Sequence, residues 1–208
     1  MKRPLVSIII PFYKNNQLLM NAINSAINQK FKNFEIIIIN DNNIKKNINF
    51  LKKIKKKSKK IKIIYNKKNL GAGLSRNKGI KLSKGKYIAF LDSDDEWMKN
   101  KLSEQISIME KKKYLATHTS YNIVNIQKKI LSKRIAKKLK YSNLLKSCDI
   151  GLSTVILSKK ILKFKNPFPS LKTKEDYVLW LKITKKGIIY HKVDKILTKW
   201  TDTPNSLS

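Results

Sequence analysis

The strongest constraint on the fold is the alternation of short apolar runs with amphipathic stretches over the first 91 residues. Short, mostly apolar runs cover 5–10, 34–39, 61–65 and 87–91, the first of them rich in β-branched residues, and such runs are typical of buried parallel strands. Between them, apolar residues recur at helical spacing, as at 18–27. Strands that alternate with helices predict a doubly wound, mostly parallel sheet with helices on both faces and right-handed crossovers.

Local signals set the expected ends of these elements. Pro11 is expected to end the first strand, and Asn15 or Asn16 to cap the helix that follows. The lysine-rich stretch 44–60 has apolar residues along one side, which predicts a surface helix and not a nucleic-acid-binding arm. Two glycines are expected to open a further helix over about 71–83.

The second half of the chain is less regular. Its patterns predict a long helix, paired strands, a short helix, a strand and a final helix, at 98–112, 117–131, 141–146, 154–157 and 173–185. Thr173 is expected to start the final helix, with two acids in its first turn. At 208 residues, we expect one domain over 1–208.

The net charge of +34 leaves two interpretations open. Lys and Arg total 47 against 13 Asp and Glu, which favours nucleic acid or an anionic membrane surface as a partner. An AT-rich genome would also enrich Lys, Ile and Asn, so compositional drift is the alternative. The lysines occur in every segment and the aromatic residues lie in apolar runs, which argues against a nucleic-acid-binding protein.

Cysteine content and hydropathy limit the cellular compartments in which the protein is expected. Cys148 is the single cysteine, so we expect a reducing, cytoplasmic location and a buried thiol. The charged start resembles a signal peptide, but Pro11 interrupts it and no cleavage site follows, so we interpret it as the first strand. No apolar stretch approaches the roughly 20 residues that span a bilayer. Any membrane contact is therefore expected to be peripheral.

Polar clusters follow the predicted strands. Asp41 follows the second strand, Arg76 lies in a glycine-flanked helix start, and Asp92, Asp94 and Asp95 follow the fourth strand. The carboxyl ends of parallel strands form the ligand crevice of an open α/β sheet, so these groups are expected to converge. Three carboxylates on one turn favour a shared divalent cation, Mg²⁺ or Mn²⁺, and a guanidinium favours phosphate.

Simpler interpretations of these clusters stay open. The aspartates also suit a capping turn before the helix at 98–112, and Arg76 also suits a helix surface. Glu175 and Asp176 also suit the first turn of a helix for electrostatic reasons alone. A Walker loop and a GxGxxG after the first strand are both lacking, which argues against ordinary ATPases and dinucleotide-binding enzymes.

Five sequence blocks closely resemble the family 2 glycosyltransferases of the GT-A fold. They are SIIIPFY at 7–13, EIIIIND at 35–41, NLGAGLSRNKG at 69–79, YIAFLDSDD at 87–95 and KEDYVLW at 174–180. They occur in family order, and the resemblance runs over about 6–208. It implies a Rossmann-like, mostly parallel sheet, with a nucleotide-sugar-binding half at 1–97 and a less regular acceptor-binding half at 98–208.

The resemblance also implies a role for each site residue. Tyr13 stacks on the nucleotide base, Asp41 contacts uracil and Arg76 meets the base and diphosphate. The DxD element falls on Asp92 and Asp94. Asp176 falls on the catalytic base. The implied donor-binding residues are Pro11, Tyr13, Asp41, Arg76, Asp92, Ser93 and Asp94, the implied metal ligands are Asp94 and Asp95, and Trp97 and Glu175 are candidates for the acceptor side.

These roles imply an inverting, metal-dependent glycosyltransferase. It would move a sugar from a nucleotide diphosphate, expected to be UDP, to a glycan or lipid-linked acceptor of a cell-surface polysaccharide or lipopolysaccharide. A single displacement needs one carboxylate as base and no covalent intermediate. We expect the enzyme in the cytoplasm or peripherally at the inner face of the membrane. The alternatives are a basic nucleic-acid-binding protein and a non-catalytic sugar-nucleotide-binding module on the same fold.

Several positions depart from the family pattern. Asn40, Asn42 and Asn43 stand where many members carry Asp, Gly and Ser, and Thr201 and Thr203 replace a basic residue and a histidine of the terminal segment. A metal or diphosphate contact from that histidine is therefore lacking. His118 is expected to bond to the backbone within a strand, and His191 is given no role.

Overall fold

The computed structural model describes residues 3–42 and 44–203, in which a nine-stranded sheet is covered by helices. The first half of the chain contains β1 Val6–Phe12, α1 Asn16–Ile27, β2 Phe34–Asn40, α2 Lys45–Lys56, β3 Ile61–Tyr65, α3 Ala72–Leu82 and β4 Tyr87–Phe90. The second half contains β5 Glu96–Trp97, α4 Lys101–Lys112, β6 Ala116–Val124, β7 Ile130–Arg134, α5 Tyr141–Leu144, β8 Ile156–Ser158, α6 Glu175–Lys185 and β9 Tyr190–Thr201.

The sheet is parallel in its first half and mixed in its second. Its strand order is β3-β2-β1-β4-β8-β6-β9-β5, with β7 paired to β6. β1 pairs in parallel with both β2 and β4, and β2 pairs in parallel with β3. β8 runs antiparallel to β4 and β6, whereas β9 runs parallel to β6. The predicted GT-A-like α/β fold is therefore confirmed, and the carboxyl ends of β1, β2 and β4 share one edge.

Two apolar clusters cover the two faces of this sheet. Successive residues of a strand point to opposite faces, so Ile8 and Ile10 pack with α1, α2 and α4, whereas Ile9 packs with α3 and α6. All three isoleucines are fully buried, and burial of such a side chain contributes roughly 1.5–3 kcal/mol. The predicted placement of helices on both faces is confirmed.

The expected role of Pro11 is wrong, because β1 continues through it to Phe12. Ile9 carbonyl oxygen accepts from the Leu91 amide on the β4 side, and Phe12 carbonyl oxygen accepts from the Asp41 amide on the β2 side. Since residues alternate in direction, Pro11 faces the β4 side, where pairing stops at Ile9. The missing amide of proline therefore ends one ladder and leaves the strand intact.

Helix starts follow the sequence signals at α1 and depart from them at α6. The Asn15 side chain accepts a hydrogen bond from the Leu18 amide, as predicted for the cap of α1. Thr173 does not start α6: the helix begins at Glu175, and Lys174 holds the cap position with φ of 59° and no side-chain cap bond. Residues 98–100 precede α4 outside the helix because Trp97 belongs to β5 and pairs with Thr198 of β9.

Two single-residue expectations outside the site also have clear outcomes. The Cys148 thiol is exposed, so the expectation of a buried cysteine is wrong; it lies in the loop after α5, where no strand or helix covers it. His118 lies in β6, and its Nε2 is 2.7 Å from the Lys137 carbonyl oxygen, which confirms the backbone-bonded histidine.

Candidate active site

A buried ion-pair triad joins the sheet edge to the last helix. Arg76 Nη2 lies 2.7 Å from Asp92 Oδ1, and Arg76 Nη1 lies 2.5 Å from Glu175 Oε1. The arginine side chain is 6% exposed, against 27% for Asp92 and 12% for Glu175. The fold thereby brings together three predicted site residues that are up to 99 positions apart in the chain.

The charge of Arg76 is held by its two partners. Burial alone disfavours the protonated guanidinium, but Asp92 and Glu175, with Asp176 beside them, hold the pKa of Arg76 above its usual range. Arg76 is therefore not the surface arginine of the simpler interpretation. Its Nε has no hydrogen-bond partner among the residues that the structure describes, and its two terminal nitrogens contact carboxylates. Glu175 is accordingly a partner of Arg76 here, which departs from its suggested acceptor-side position.

Glycine allows the close approach of α3 to the start of α6. A Cβ on Gly73 would lie 2.9 Å from the Pro169 carbonyl oxygen and 3.0 Å from Glu175 Cγ. Real side chains do not tolerate a Cβ that close to backbone, so only glycine fits. Gly71, just before α3, has φ of 82°, a left-handed conformation that favours glycine. Both glycines of the predicted helix start thus have a physical reason.

Asn77 fixes the loop that leads into α6, a role that the sequence did not indicate. Its Nδ2 donates to the Phe168 carbonyl oxygen at 2.8 Å, and its Oδ1 accepts from the Phe168 amide at 3.0 Å. These two hydrogen bonds hold the Phe168 backbone to α3, as a pair of hydrogen bonds between strands would. The only sequence signal was the position of Asn77 directly after Arg76 in the RNKG segment.

Asp41 organises the turn between β3 and α3. Its Oδ1 accepts from the Asn66 side chain at 2.8 Å and from the Leu70 amide at 2.9 Å, and its Oδ2 accepts from the Gly71 amide at 2.7 Å. Asn66 also donates to Ser75 Oγ at 3.0 Å. No sequence signal indicated this role of Asn66, since an isolated asparagine after a strand is ordinary turn chemistry.

The asparagines around Asp41 hold their own loop. The Asn40 side chain donates to the Asn42 carbonyl oxygen, and Asn42 Oδ1 accepts from the Ile44 amide at 2.6 Å. Asn43 lies outside the described residues, as do the terminal residues 204–208. Tyr13, just past β1, is 48% exposed, and its carbonyl oxygen accepts from the Asn47 side chain at 3.2 Å. An exposed ring at this edge is free to stack on a planar ligand, whereas Pro11 is buried.

The three aspartates after β4 differ in their surroundings. Asp92 amide donates to Ser153 Oγ at 3.0 Å, which fixes the start of the turn. Asp95 is buried, and its Oδ1 accepts from the Thr201 amide of β9 at 2.9 Å. Asp94 is half-buried, as is Ser93, which has no contact that assigns it a function. Asp95 therefore bonds the turn to β9, which departs from its predicted position as a metal ligand.

Burial and mutual repulsion raise the pKa of two carboxyls on this turn. Burial, and then the charge of Asp92, raises the pKa of Asp94 to about 6. Burial, and then Asp94 and Asp92, raises the pKa of Asp95 well above its usual range. Asp95 Oδ2 has no hydrogen-bond partner among residues 3–42 and 44–203. Asp92 is paired with Arg76, whereas Asp94 and Asp95 have no ion pair of this kind among the described residues.

The described residues form no ready-made metal cage. Within 3–42 and 44–203, no group of three or more His, Cys, Asp or Glu side chains is arranged to hold an ion. Mg²⁺ in phosphate-binding sites is commonly held by one or two carboxylates together with substrate phosphates. The half-buried Asp94, whose charge is disfavoured without a cation, fits that donor set.

Trp97 is a core residue, which departs from its suggested place on the acceptor side, where its ring would have stacked on a sugar. The side chain is 5% exposed, and its Nε1 donates to the Ser153 carbonyl oxygen at 2.8 Å. Lys101 Nζ lies 4.7 Å from the ring centroid. Both faces of the ring are therefore unavailable to a sugar, because β5 pairs with β9 and draws Trp97 inward.

Asp176 lies beside the triad at the first turn of α6. Its Oδ1 accepts from the Tyr177 amide at 2.7 Å. Burial raises the pKa of Asp176, although Arg76 and this amide act in the opposite direction. A half-buried carboxylate with one bonded and one remaining oxygen, and a raised pKa, has the properties of a general base.

The chain matches a family model and several known proteins. The model described as Glycosyl transferase family 2 matches residues 7–165. A teichuronic acid biosynthesis glycosyltransferase of Bacillus subtilis, TuaG, is 30% identical over 208 residues, which cover 99% of this chain and 82% of that protein. WfgD of Escherichia coli, a UDP-Glc:α-D-GlcNAc-diphosphoundecaprenol β-1,3-glucosyltransferase, is 39% identical, with 89% of this chain and 72% of that protein covered.

Solved structures share the fold at low identity. Staphylococcus aureus TarS 1–349 in complex with UDP-GlcNAc superposes with a TM-score of 0.78 at 21% identity, over 97% of this chain. The mannosyltransferase PcManGT of Pyrobaculum calidifontis, in complex with GDP-Man and Mn²⁺, has a TM-score of 0.75 at 12% identity, over 99% of this chain. This chain spans 60% and 59% of those two solved chains. Among the described residues, no helix is both long and apolar enough to cross a bilayer.

Proposed function

Because the chain belongs to glycosyl transferase family 2 and is a glycosyltransferase, we propose that its cleft moves a sugar from UDP to a lipid-linked glycan with inversion. The observation that carries this proposal is the Arg76 triad, which joins the Asp92 turn to the start of α6, where Asp176 lies. A displacement reaction needs the donor site and the base side by side. The triad supports that arrangement, because it brings the Asp92 turn next to the start of α6.

The donor is proposed to lie along the carboxyl edge of β1, β2 and β4. Tyr13 stacks on the base, and Asp41 meets the uracil ring from the turn that it organises. The exposed Tyr13 ring supports the stacking role, and the position of Asp41 directly after β2, at the same edge of the sheet, supports the uracil contact. Solved neighbours that bind UDP and UDP-GlcNAc support a UDP-linked donor. Arg76 acts on the diphosphate through Asp92, whose carboxylate it holds in place.

Asp94 is proposed as the residue that would hold a divalent cation, Mg²⁺ or Mn²⁺. When bound, it would offset the charge that develops on the departing nucleotide. The raised pKa of Asp94 supports this role, because a nearby cation would stabilise the carboxylate that burial disfavours. Asp95 stabilises the turn by accepting a hydrogen bond from the Thr201 amide. The Mn²⁺ complex of PcManGT supports a metal of this class.

Asp176 is proposed as the base that accepts the proton of the acceptor hydroxyl. Attack of that oxygen on the anomeric carbon and departure of the diphosphate on the opposite side invert the centre in one step. The amide of Tyr177 orients one carboxylate oxygen and leaves the other for the acceptor. A raised pKa increases the driving force for proton transfer near neutral pH.

The acceptor is proposed to be a glycan on a lipid diphosphate, in the synthesis of a cell-surface polysaccharide. The name of WfgD, a relative at 39% identity, supports this class of acceptor, and TuaG supports a surface polymer. Residues 98–208 form the acceptor half in this proposal and residues 1–97 the donor half. The enzyme works in the cytoplasm, peripherally at the inner face of the membrane.

A panel of nucleotide sugars tests the proposal. The protein is incubated with Mn²⁺ or Mg²⁺ and each donor, with a GlcNAc-diphospholipid as acceptor, and both UDP release and the labelled lipid product are measured. We expect product with at least one UDP-sugar and none with EDTA. Donor binding without product across the panel, with only slow or no UDP release, would instead favour the non-catalytic module.

A further inference from the structure

The first half of the chain has no exposed carboxylate. Residues 1–91 contain 22 Lys and Arg but two acids, Glu35 and Asp41, and both of these are buried. The stretch 42–91 contains no acid at all. The exposed charge of this half is therefore all positive, whereas an ordinary soluble surface carries charges of both signs.

The densest part of this charge is on α2 and the turn after it. Eight exposed lysines, here called the α2 lysine cluster, are Lys45, Lys46, Lys52, Lys53, Lys55, Lys56, Lys57 and Lys59. The ion pairs of the described residues, with acids such as Glu35, Glu96, Glu104 and Glu110, involve lysines outside this cluster. The cluster therefore keeps its full attraction for an external anion.

Packing keeps these lysines on the outside. Leu51 and Ile54 of α2 are fully buried against the sheet, so the apolar side of the helix is unavailable to a bilayer. Helices that insert at an interface do so through an exposed apolar face. Binding through α2 therefore depends on charge and not on insertion, and it should be strongly sensitive to salt.

α2 begins beside the proposed donor site and runs away from it. The Asn47 side chain, in the first turn of α2, donates to the Tyr13 carbonyl oxygen at 3.2 Å. The segment after the helix reaches the opposite edge of the sheet, where Lys60 Nζ donates to the Lys32 carbonyl oxygen just before β2. Lys45 and Lys46 therefore lie on the donor side, and the other six lysines of the cluster continue along the flank of the sheet, outside β3, its edge strand.

We propose that the α2 lysine cluster docks the protein on an anionic phospholipid surface by charge alone. The choice of a membrane rests in part on the proposed lipid-linked acceptor. It rests also on the composition of the cluster, because single-stranded nucleic acid is bound by basic grooves with exposed aromatic rings, and the only aromatic residue of α2, Phe50, is half-buried.

A matched pair of triple variants tests the proposal. Lys52→Gln, Lys53→Gln and Lys56→Gln neutralise three lysines of the cluster. Lys111→Gln, Lys112→Gln and Lys185→Gln neutralise three exposed helix lysines of the second half. Each basic residue near an anionic membrane contributes about fivefold to partitioning. We therefore expect the cluster variant to bind vesicles about 10²-fold more weakly, and the control variant to change by less than about threefold.

The assay is sedimentation with phosphatidylcholine vesicles that contain about 30 mol% phosphatidylglycerol, without donor or metal. Binding should vanish on pure phosphatidylcholine and fall steeply as salt is raised. Equal losses in both variants would assign the effect to total charge and overturn the proposal, as would binding that ignores lipid charge. Tighter binding to random single-stranded DNA than to vesicles at equal salt would overturn it in favour of a nucleic-acid surface.

Thermal unfolding and UDP binding of both variants separate this proposal from the proposed function. The variants are expected to keep the melting temperature and UDP affinity of the parent, because their lysines are exposed and outside the cleft. Vesicle binding that is lost while UDP binding persists supports the docking role of α2. Intact docking in a protein that transfers no sugar would refute the proposed function alone.

Discussion

Replacement of Arg76 by methionine should destabilise the protein strongly, because it leaves two carboxylates without their cation. The side chain is 6% exposed and contacts Asp92 at 2.7 Å and Glu175 at 2.5 Å. Methionine keeps most of the aliphatic stem, so the change removes the charge and its hydrogen bonds more than the packing. Removal of one partner of a buried ion pair costs about 3–5 kcal/mol in the free energy of unfolding.

The melting temperature should reflect this loss. In a domain of this size, 1 kcal/mol shifts the midpoint by about 2–4 °C, so Arg76→Met should lower it by about 6–20 °C in a thermal unfolding experiment. The melting temperature of Arg76→Lys should lie between those of the parent and of Arg76→Met, because one ammonium cannot bridge both carboxylates as a guanidinium does. Addition of Glu175→Gln should cost less in the Arg76→Met background than in the parent, because the buried charge is then already uncompensated.

An exposed ion pair provides the control. Lys86 Nζ lies 2.8 Å from Glu110 Oε1, at 56% and 38% side-chain exposure, and such surface pairs contribute about 0–1 kcal/mol. Lys86→Met should therefore move the midpoint by no more than a few degrees. If Arg76→Met and Lys86→Met unfold at the same temperature, the triad does not stabilise the join between β4 and α6, and our argument from burial is wrong.

Four further results are expected. Asp176→Asn should reduce kcat by about 10²- to 10⁴-fold while UDP affinity, measured by calorimetry, is kept; retained activity would place the base elsewhere. In the parent, kcat/KM should fall as pH falls through the raised pKa of Asp176, since the protonated acid cannot accept a proton, and a flat acidic limb would argue against this base. Asp94→Ala or EDTA should weaken UDP binding, and unchanged affinity would refute the metal role. Gly73→Ala should destabilise by about 1–3 kcal/mol in urea unfolding, because its Cβ would lie 2.9 Å from the Pro169 carbonyl oxygen; a neutral result would contradict the steric argument.

The parallel half of the fold was predictable because its signals are local. Each of the first four strands lies in a short, mostly apolar run, and the period of the helices between them is visible in the apolar residues. The cap at Asn15 follows from side-chain chemistry alone. The effect of Pro11 on β1 was predicted wrongly, because it depends on which neighbouring strand the proline nitrogen faces. That orientation is a property of the sheet and not of the segment.

The second half could not be predicted in the same detail, since long-range pairing decides it. β9 contains charged residues at several positions and gave no clear period, yet it pairs with β6 over most of its length and with β5 at two residues. That pairing buries Trp97 and bonds Asp95 to Thr201. The site was predictable in its membership, as Arg76, Asp92 and Glu175 show, but the sequence alone could not reveal that they contact one another.

The three hydrogen bonds of Asp41 have a consequence for how the site can be observed. Two of them protect the backbone amides of Leu70 and Gly71, although Gly71 itself is exposed. Slow deuterium uptake at the Leu70 amide would depend on this single carboxylate and not on a helix or sheet ladder, whereas the Gly71 amide also donates to Asn69 Oδ1 at 2.9 Å. If Asp41 turned toward a bound base, its oxygens would leave these donors, and the Leu70 amide would begin to exchange more rapidly while the Gly71 amide kept its bond to Asn69. Hydrogen exchange at Leu70, with Gly71 as the reference, thus provides a label-free reporter of whether Asp41 is engaged with the turn or with the nucleotide.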